Sequence, residues 1–381
     1  MSDHYDDREQ TLAKHFILRR YLQTLVFKWL SSASEITYVD AFSGPWDSRA
    51  SDFSDTSFMI AINVLKDAHA HFAARGVKKT IRCCFVERDA AAFALLQNAV
   101  EQHSDPSTGF HVATFHGRFE DKVAEIQSFV GSSFSLVFID PTGWTGYPYS
   151  KIAPVLQHSP GEVLVNFMYD FFNRFVASDD PKIIASFDSI LGGPGWKGRL
   201  DPTLPPGRAA RELCLSELRK IGAFEYVVST TIDKTEADRP HYSIAYGTRK
   251  PAGLIAFREV ELTALRGHEK RRALARDNRE VQRTGQGNLF DTSALPTESV
   301  LDQLLASQRS LAKTWLVEAI LASSTPLTFK ALSMRAMELF MVRQTDLKDI
   351  CVGLAEDGVI SAPWKDTGRR KPADDDVVQV T

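Results

Sequence analysis

Acidic residues follow three apolar stretches of the chain that are typical of β-strands. These acids are Asp40, Glu87 and Asp140. Because the carboxyl ends of parallel strands meet at one edge of a sheet, we expect these side chains to line the crevice in which open α/β sheets bind ligands. Carboxylates at that edge accept hydrogen bonds from hydroxyl and amino groups. The pattern therefore predicts a ligand site that is rich in hydrogen-bond acceptors.

The first acid opens the turn Asp40-Ala41-Phe42-Ser43-Gly44-Pro45. Glycine in such a turn lets a ligand come close to the backbone. One interpretation is a cofactor site formed by Asp40, Phe42 and Gly44, and an ordinary strand-to-loop exit explains these residues equally well. The turn lacks the G-x-G-x-x-G spacing, which argues against NAD or FAD. The chain also has no G-x-x-x-x-G-K-[ST] loop, so a nucleotide-dependent enzyme such as a kinase has little support.

Glu87 ends the second predicted strand. A carboxylate there can accept hydrogen bonds from both hydroxyl groups of a ribose. The alternative is an acid that favours the start of the next helix. Because Asp89 fits that helix-capping role better, we interpret Glu87 as a ligand-binding residue.

Asp140 and Pro141 end the fourth predicted strand, and Trp144 follows them. A carboxylate at the end of a central strand faces the crevice and can accept hydrogen bonds from an amino group that is about to react. A proline-containing loop after a core strand is nearly as good an explanation. Further polar residues follow the fifth strand and are predicted to face the same rim; they are Asn166, Tyr169, Asp170, Asn173 and Arg174.

The elements that would position these residues alternate between strands and helices. The strands, at 36–40, 81–86, 110–115, 135–139 and 162–168, are continuous apolar runs. Such runs are typical of a parallel sheet with both faces buried, here in a doubly wound α/β fold. Two further strands, 225–232 and 242–248, predict an antiparallel hairpin at the sheet edge. The amphipathic helix that precedes the sheet carries Lys14 and His15, which spacing alone assigns to its solvated edge.

The C-terminal part predicts a separate unit. We place a Rossmann-like domain at 1–283, a linker at 284–306 and a winged helix–turn–helix at 307–381. Its predicted helices are 311–322, 328–340 and 345–357, with Thr328 and Thr345 as N-caps. A basic hairpin follows, in which Arg369-Arg370-Lys371 is the candidate nucleic-acid contact. The neighbouring Asp374-Asp375-Asp376 nearly cancels its charge, and winged helices also bind proteins.

Composition limits the remaining classes. The 381 residues carry a net charge of −3 with a pI near 6.4, so no global basic field indicates nucleic acid. The four cysteines form no C-x-x-C pair, which disfavours a zinc site or a disulfide framework and fits a reducing cytoplasm. No apolar stretch has the length of a membrane span. We therefore expect a cytoplasmic protein.

Several different short motifs are spread over about two-thirds of the chain. In their order and spacing they resemble those of the three-Cys-motif partner proteins (TcmP), which are methyltransferase-like proteins of bacteria and archaea. Members of that family often end in a winged helix–turn–helix. The motifs are Lys14-His15-Phe16-Ile17-Leu18, Tyr38-Val39-Asp40-Ala41-Phe42-Ser43-Gly44-Pro45, Phe85-Val86-Glu87-Arg88-Asp89, Phe138-Ile139-Asp140-Pro141-Thr142-Gly143-Trp144, Asn173-Arg174, Tyr242 to Thr248 and Pro251-Ala252-Gly253-Leu254.

The resemblance implies a class I methyltransferase fold with S-adenosylmethionine as cofactor. In such a fold, Asp40, Phe42 and Gly44 would line the methionine side of the cofactor, and Glu87 would hold its ribose. The terminal strand hairpin is also the usual end of a class I methyltransferase sheet.

The resemblance also implies the catalytic residues and a partner. Asp140 and Pro141 would lie beside the transferred methyl group. The partner would be a radical-SAM-like iron–sulfur protein that bears the three-Cys motif. The methyl acceptor would be a nucleic acid held by the winged unit, or the partner protein itself.

A second hypothesis is a Rossmann scaffold without catalysis that binds a partner or DNA. Two departures from the family pattern favour it. Trp46 stands where the family commonly has glycine, and Arg118 stands where it tends to have aspartate. The arginine removes an acceptor for the adenine amino group unless Glu120 replaces it.

Overall fold

A computed structural model describes residues 9–45, 48–141, 143, 145–168, 173–233, 240–284 and 299–381. The chain divides into two compact units, Met1–Lys250 and Pro251–Thr381. Within the described ranges, no helix is long and apolar enough to cross a membrane.

A seven-stranded sheet forms the centre of the first unit. Its strand order is β3-β2-β1-β4-β5-β7-β6. Strands β1 to β5 are parallel, and β7 runs antiparallel to both β5 and β6. The predicted α/β class is thereby confirmed, with a mostly parallel sheet and a terminal antiparallel hairpin. The strands are β1 (Glu35–Asp40), β2 (Thr80–Glu87), β3 (Phe110–His116), β4 (Phe134–Ile139), β5 (Gly161–Phe167), β6 (Tyr226–Asp233) and β7 (Pro240–Thr248).

Helices connect these strands, and local side chains cap three of them; one is Asp180, which accepts from Lys182 N at the start of the sixth helix. Thr56 accepts a hydrogen bond from Met59 N at the start of α2, and Asp89 accepts one from Ala92 N at the start of α3. The capping role predicted for Asp89 is therefore confirmed. The helices are α1 (Glu9–Leu30), α2 (Ser57–Ala73), α3 (Ala90–Glu101), α4 (Val123–Val130), α5 (Tyr149–Leu156), α6 (Pro181–Asp188) and α7 (Pro206–Gly222).

The core of this unit lies on both faces of the central strands. All six residues of β4 are buried, and so are all seven of β5, as the continuous apolar runs predict. Cys83 and Cys84 are neighbours in β2, and both are fully buried. Burial raises the pKa of both thiols above their ordinary value. Among the described residues, no group of His, Cys, Asp or Glu could hold a metal ion.

A buried polar network lies at the amino end of β5. The Tyr21 hydroxyl donates to Glu162 Oε2 at 2.5 Å and lies 2.5 Å from the Tyr246 hydroxyl. Thr248 Oγ1 donates to the other oxygen of Glu162 at 2.7 Å. Burial raises the pKa of Glu162, and the Tyr21 hydroxyl partly opposes that rise. The network therefore pins α1 to the sheet at the edge opposite the strand-end acids.

Replacing Tyr21 with phenylalanine is expected to lower the free energy of unfolding by about 1–3 kcal/mol, because the buried Glu162 loses a donor. Urea unfolding at pH 7 measures the effect. Tyr226→Phe is the control, since its hydroxyl donates to the adjacent Glu225 carboxylate at the sheet margin. Equal losses in the two variants would contradict a role for the network.

The second unit contains helices and one small antiparallel pair of strands. Strand β8 pairs with β9, and Ile360 forms a single bridge with Val380. The hairpin predicted after the third helix of this unit is reduced to that bridge among the described residues. The elements are α8 (Pro251–Thr284), α9 (Val300–Ala322), β8 (Leu327–Thr328), α10 (Phe329–Leu339), α11 (Gln344–Glu356), α12 (Pro363–Asp366) and β9 (Val377–Val378).

The division between the units lies earlier in the chain than the predicted boundary at residue 283. Helix α8 belongs to the second unit, because its buried Arg258 donates to Met337 O at 2.8 Å and pairs with Glu261 at 2.6 Å. Helix α9 also begins at Val300, inside the predicted linker 284–306.

One predicted cap of the second unit is confirmed and the other is wrong. Thr328 accepts from Ala331 N at the start of α10. Thr345 lies inside α11, whose N-cap is Arg343. Asp346 accepts the backbone N–H of Arg343 at 3.0 Å, so the carboxylate rather than a threonine hydroxyl closes this helix start.

Candidate functional site

The three strand-end acids lie at one edge of the sheet. Asp40 is in register with Phe85 of β2 and Phe138 of β4. Glu87 lies two positions beyond the first partner, and Asp140 lies two positions beyond the second. Since β2, β1 and β4 are neighbours, the fold brings these acids together at the carboxyl edge, as the sequence predicts.

Asp40 is completely buried. Its Oδ1 accepts from Phe42 N at 3.2 Å, and the Tyr38 hydroxyl donates to its Oδ2 at 3.3 Å. Burial raises the pKa of Asp40 from 3.8 to about 6, a bond from the Ser57 hydroxyl opposes the rise, and the nearby Asp140 adds to it. Asp40 is thus placed to hold the loop after β1 rather than to touch a ligand directly.

The loop after β1 is held between the neighbouring strands. Ala41 N donates to Phe138 O, and Ser43 N donates to Val86 O, both at 2.9 Å. Phe42 is half-buried, and its ring packs against Gly146, which has a φ of +93° and where an added Cβ would come within 3.3 Å of that ring. Gly44 is half-buried. Trp46, which stands where the family commonly has glycine, lies outside the described residues.

Glu87 is also almost fully buried, at 4% exposure. Its Oε1 accepts from Asp89 N at 2.7 Å, which ties it to the start of α3. The alternative interpretation, an acid that supports the next helix, thus describes part of what Glu87 does. A ribose would share this carboxylate with the helix.

A largely buried carboxylate lies in the short 3-10 helix Phe119–Asp121 that follows β3. The Glu120 side chain is 7% exposed, and its Oε1 lies 3.7 Å from Arg118 Nη1. The arginine side chain is mostly exposed. Among the described residues, Glu120 Oε2 has no hydrogen-bond partner. This acceptor is the one that the sequence offered in place of the missing aspartate.

Asp140 is paired on both of its oxygens. Lys14 Nζ lies 2.6 Å from Oδ2, and Asn166 Nδ2 donates to Oδ1 at 2.7 Å. The side chains of Lys14 and Asp140 are 14% and 13% exposed. The assignment of Lys14 and His15 to a solvated helix edge is wrong: Lys14 reaches the strand-end acid, and His15 is only 6% exposed.

The other predicted rim residues contribute less to this cluster. Pro141 is buried. Asn173 and Arg174 are exposed; Asn173 packs against Gly207, and the Arg174 guanidinium lies 5.9 Å from the Phe175 ring. Three predicted residues lie outside the described part of the chain; they are Trp144, Tyr169 and Asp170.

The basic segment of the second unit is largely neutralised. Arg369 pairs with Asp376 at 2.7 Å, and Lys371 pairs with Asp349 at 2.5 Å. Arg370 is exposed. The sequence indicated the cancellation by the neighbouring aspartates, but it missed Asp349, which reaches the segment from α11.

Searches for known relatives found no protein-family model and no curated protein that matches the chain. The resemblance to three-Cys-motif partner proteins therefore stays a prediction. Among solved structures, the chain is similar to a Legionella pneumophila protein of family DUF519 (14% identity, 69% of this chain, 91% of that chain, TM-score 0.38).

Two O-methyltransferase structures are also similar. One is a putative O-methyltransferase from Klebsiella pneumoniae (12% identity, 61% of this chain, 80% of that one, TM-score 0.32). The other is an O-methyltransferase from Bacillus cereus in complex with SAH (14%, 60% and 80%, TM-score 0.31). The fold is similar to class I methyltransferases in the strand order of its sheet.

Proposed function

We propose that the chain binds S-adenosylmethionine at the carboxyl edge of its sheet and transfers the methyl group to an acceptor. The observation that carries this proposal is the convergence of Asp40, Glu87 and Asp140 on neighbouring strands. The sheet also has the terminal antiparallel hairpin that is usual at the end of a class I methyltransferase sheet.

The donor set of the cofactor fits the acceptors of this edge. S-adenosylmethionine presents ribose hydroxyls, an adenine amino group and two cationic centres, all of which favour carboxylates. Glu87 would hold the ribose, and Glu120 Oε2, which has no hydrogen-bond partner in the described part of the chain, would accept from the adenine amino group. Phe42 and Gly44 would line the methionine side, on the loop that Asp40 fixes.

When bound, the cofactor supplies an electrophilic methyl group on a good leaving group. The residues of the chain then act through proximity and alignment. Asp140, held by Lys14 and Asn166, stays in one orientation at the reacting edge. Its carboxylate is placed to receive the proton that the acceptor nitrogen releases after transfer. Buried Pro141 fixes the backbone there.

The second unit is proposed to recognise the partner. The order of helices α9, α10 and α11 and the β8–β9 pair supports the proposal that this unit is a winged helix–turn–helix. Because Arg369 and Lys371 are already paired, a protein partner fits this surface better than a nucleic acid does. We retain the three-Cys-motif iron–sulfur protein as the proposed partner.

One observation favours the alternative function, a non-catalytic scaffold that binds a partner. Lys14 pairs with Asp140, and Asp40 is fully buried, so internal contacts engage two of the three strand-end acids. A scaffold would need these acids only for such contacts. The two functions differ in whether the cofactor binds.

Wild-type protein is expected to bind S-adenosylmethionine in a calorimetric titration, and Glu87→Gln is expected to bind it about 10–100-fold more weakly. The reason is that one acceptor oxygen and the negative charge are lost. Glu101→Gln, at an exposed position in the last turn of α3, is the control and should bind normally.

The absence of binding to folded wild-type protein would overturn the proposed function and favour the scaffold. Equal affinity in wild type and Glu87→Gln would instead remove Glu87 from the cofactor site.

A further inference from the structure

Asn166 carries an acceptor that this edge leaves unused. The residue is 3% exposed, and its Nδ2 donates to Asp140 Oδ1 at 2.7 Å. Within the described part of the chain, its Oδ1 has no hydrogen-bond partner. The carboxylate fixes the orientation of the amide, because the reversed amide would set two acceptors against each other. A buried, unpaired amide oxygen is costly, so the position calls for a donor from a ligand.

Lys14 determines the charge that such a donor can carry. Its ammonium group already neutralises Asp140 at 2.6 Å. A second cation beside this pair would be repelled by Lys14. An aliphatic amine has an ordinary pKa near 10.4 and is a cation at pH 7. The donor that fits Asn166 is therefore neutral.

Neutral amino groups and hydroxyl groups differ in whether they can react while they donate a hydrogen bond to Asn166. A hydroxyl has one hydrogen, and an amide oxygen that accepts it is too weak a base to remove it. The oxygen then remains a poor nucleophile. A conjugated amino group has two hydrogens, so one can bind Asn166 Oδ1 while the nitrogen lone pair faces the methyl donor.

We propose that Asn166 selects the methyl acceptor by accepting an N–H hydrogen bond from a neutral, conjugated amino group, such as the exocyclic amine of a nucleobase. This inference rests on the proposed function, since it names the substrate class of the same site. It assigns the recognition of the amino group to Asn166 on β5, and it leaves Asp140, whose oxygens contact Lys14 and Asn166, to receive the proton that the nitrogen releases after transfer.

Paired nucleosides test the proposal, because each pair differs in an amino or an oxo group at one ring position. The probes are adenosine against inosine and cytidine against uridine. Their binding is measured by ligand-observed NMR titration, with and without S-adenosylhomocysteine. For wild-type protein, the amino member of at least one pair is expected to bind about tenfold or more tightly, since an oxo group would place a second acceptor against Asn166 Oδ1.

Two variants separate recognition from structural support. Asn166→Asp keeps an acceptor and should keep the amino preference, whereas Asn166→Ala should lose it. A purely structural role predicts that both variants lose it, because both lose the donor to Asp140. Asn63→Ala, at an exposed position of α2, is the control. Circular dichroism establishes that each variant is folded.

Wild-type protein that shows no amino preference in either pair, including one that binds no nucleoside, overturns the proposal. A preference that survives in folded Asn166→Ala overturns it as well. The titration with S-adenosylhomocysteine alone is scored separately, so failure of cofactor binding is distinguished from failure of amino recognition.

Discussion

Replacing Arg249 with methionine is expected to lower the free energy of unfolding by about 3–5 kcal/mol. The guanidinium donates to Leu156 O at 2.7 Å and to His158 O and Gly161 O at 3.0 Å, and it also contacts Gly222 O. Two of these carbonyls end α5 and α7, where helix carbonyls have no partner of their own. Methionine keeps the apolar stem and donates nothing, so all these carbonyls lose a charged donor.

Urea unfolding at pH 7, followed by far-ultraviolet circular dichroism, measures this loss. Arg249→Lys should lie between the wild type and the methionine variant, because a single ammonium cannot span the positions that the planar guanidinium reaches. Arg75→Met is the matched control: its guanidinium donates to one exposed carbonyl, His71 O. It should lose less than about 0.5 kcal/mol. Equal unfolding midpoints for wild type and Arg249→Met would contradict the expected role.

The sheet was predictable because its signals are local. Strand β4 is apolar at nearly every position and buried at all six, so a run of residues was enough to place it. Thr328 was recognisable as a cap for the same reason, since its bond reaches only to Ala331. The acids at the strand ends followed from the strands themselves.

The contacts that shape the candidate site were not predictable, because they join distant parts of the chain. Lys14 on α1 meets Asp140 after β4, and Asn166 on β5 completes the group. Helical spacing placed Lys14 and His15 on a solvated edge, since it cannot show that the helix end lies over the carboxyl edge of a sheet. The one sequence signal for this contact was the position of Lys14 beside the apolar face of the helix.

In the second unit too, the features that depend on contacts between separated residues were not predictable from local patterns. The membership of helix α8 in the second unit depends on the bond from Arg258 to Met337, which are 79 residues apart in the chain. The boundary was therefore placed too late in the chain. The start of α11 was misplaced because Asp346 can close a helix whose N-cap is an arginine.

Replacing Asp40 with asparagine is expected to remove a loss of stability that the wild type undergoes as pH rises from 4 to 6. Burial raises the pKa of Asp40 from 3.8 to about 6. As pH rises through this window, the unfolded chain releases the proton before the folded chain does. The wild type therefore loses stability between pH 4 and pH 6, by about 3 kcal/mol in total. Asparagine has no proton to release, so the variant lacks this loss.

The measurement is the free energy of unfolding of both proteins from pH 4 to pH 8. The difference between variant and wild type should grow with pH and level off above about pH 6, whatever constant offset the new amide brings. The amide oxygen of the variant would still accept from Phe42 N, and the Tyr38 hydroxyl can turn to accept from the amide nitrogen.

Asp105→Asn is the control with the opposite sign. Asp105 is an exposed carboxylate whose pKa is lowered, chiefly by the Ser107 hydroxyl. Its stabilisation is present above the ordinary pKa of 3.8 and disappears as pH falls through the lower folded pKa, so the variant should lie below the wild type by a nearly constant amount from pH 4 to pH 8 and approach it only in more acidic solution. A difference between Asp40→Asn and wild type that stays constant from pH 4 to pH 8 would contradict a buried Asp40 that titrates near pH 6. The carboxylate would then be ionised throughout that range, and the edge would carry its full negative charge before any ligand binds.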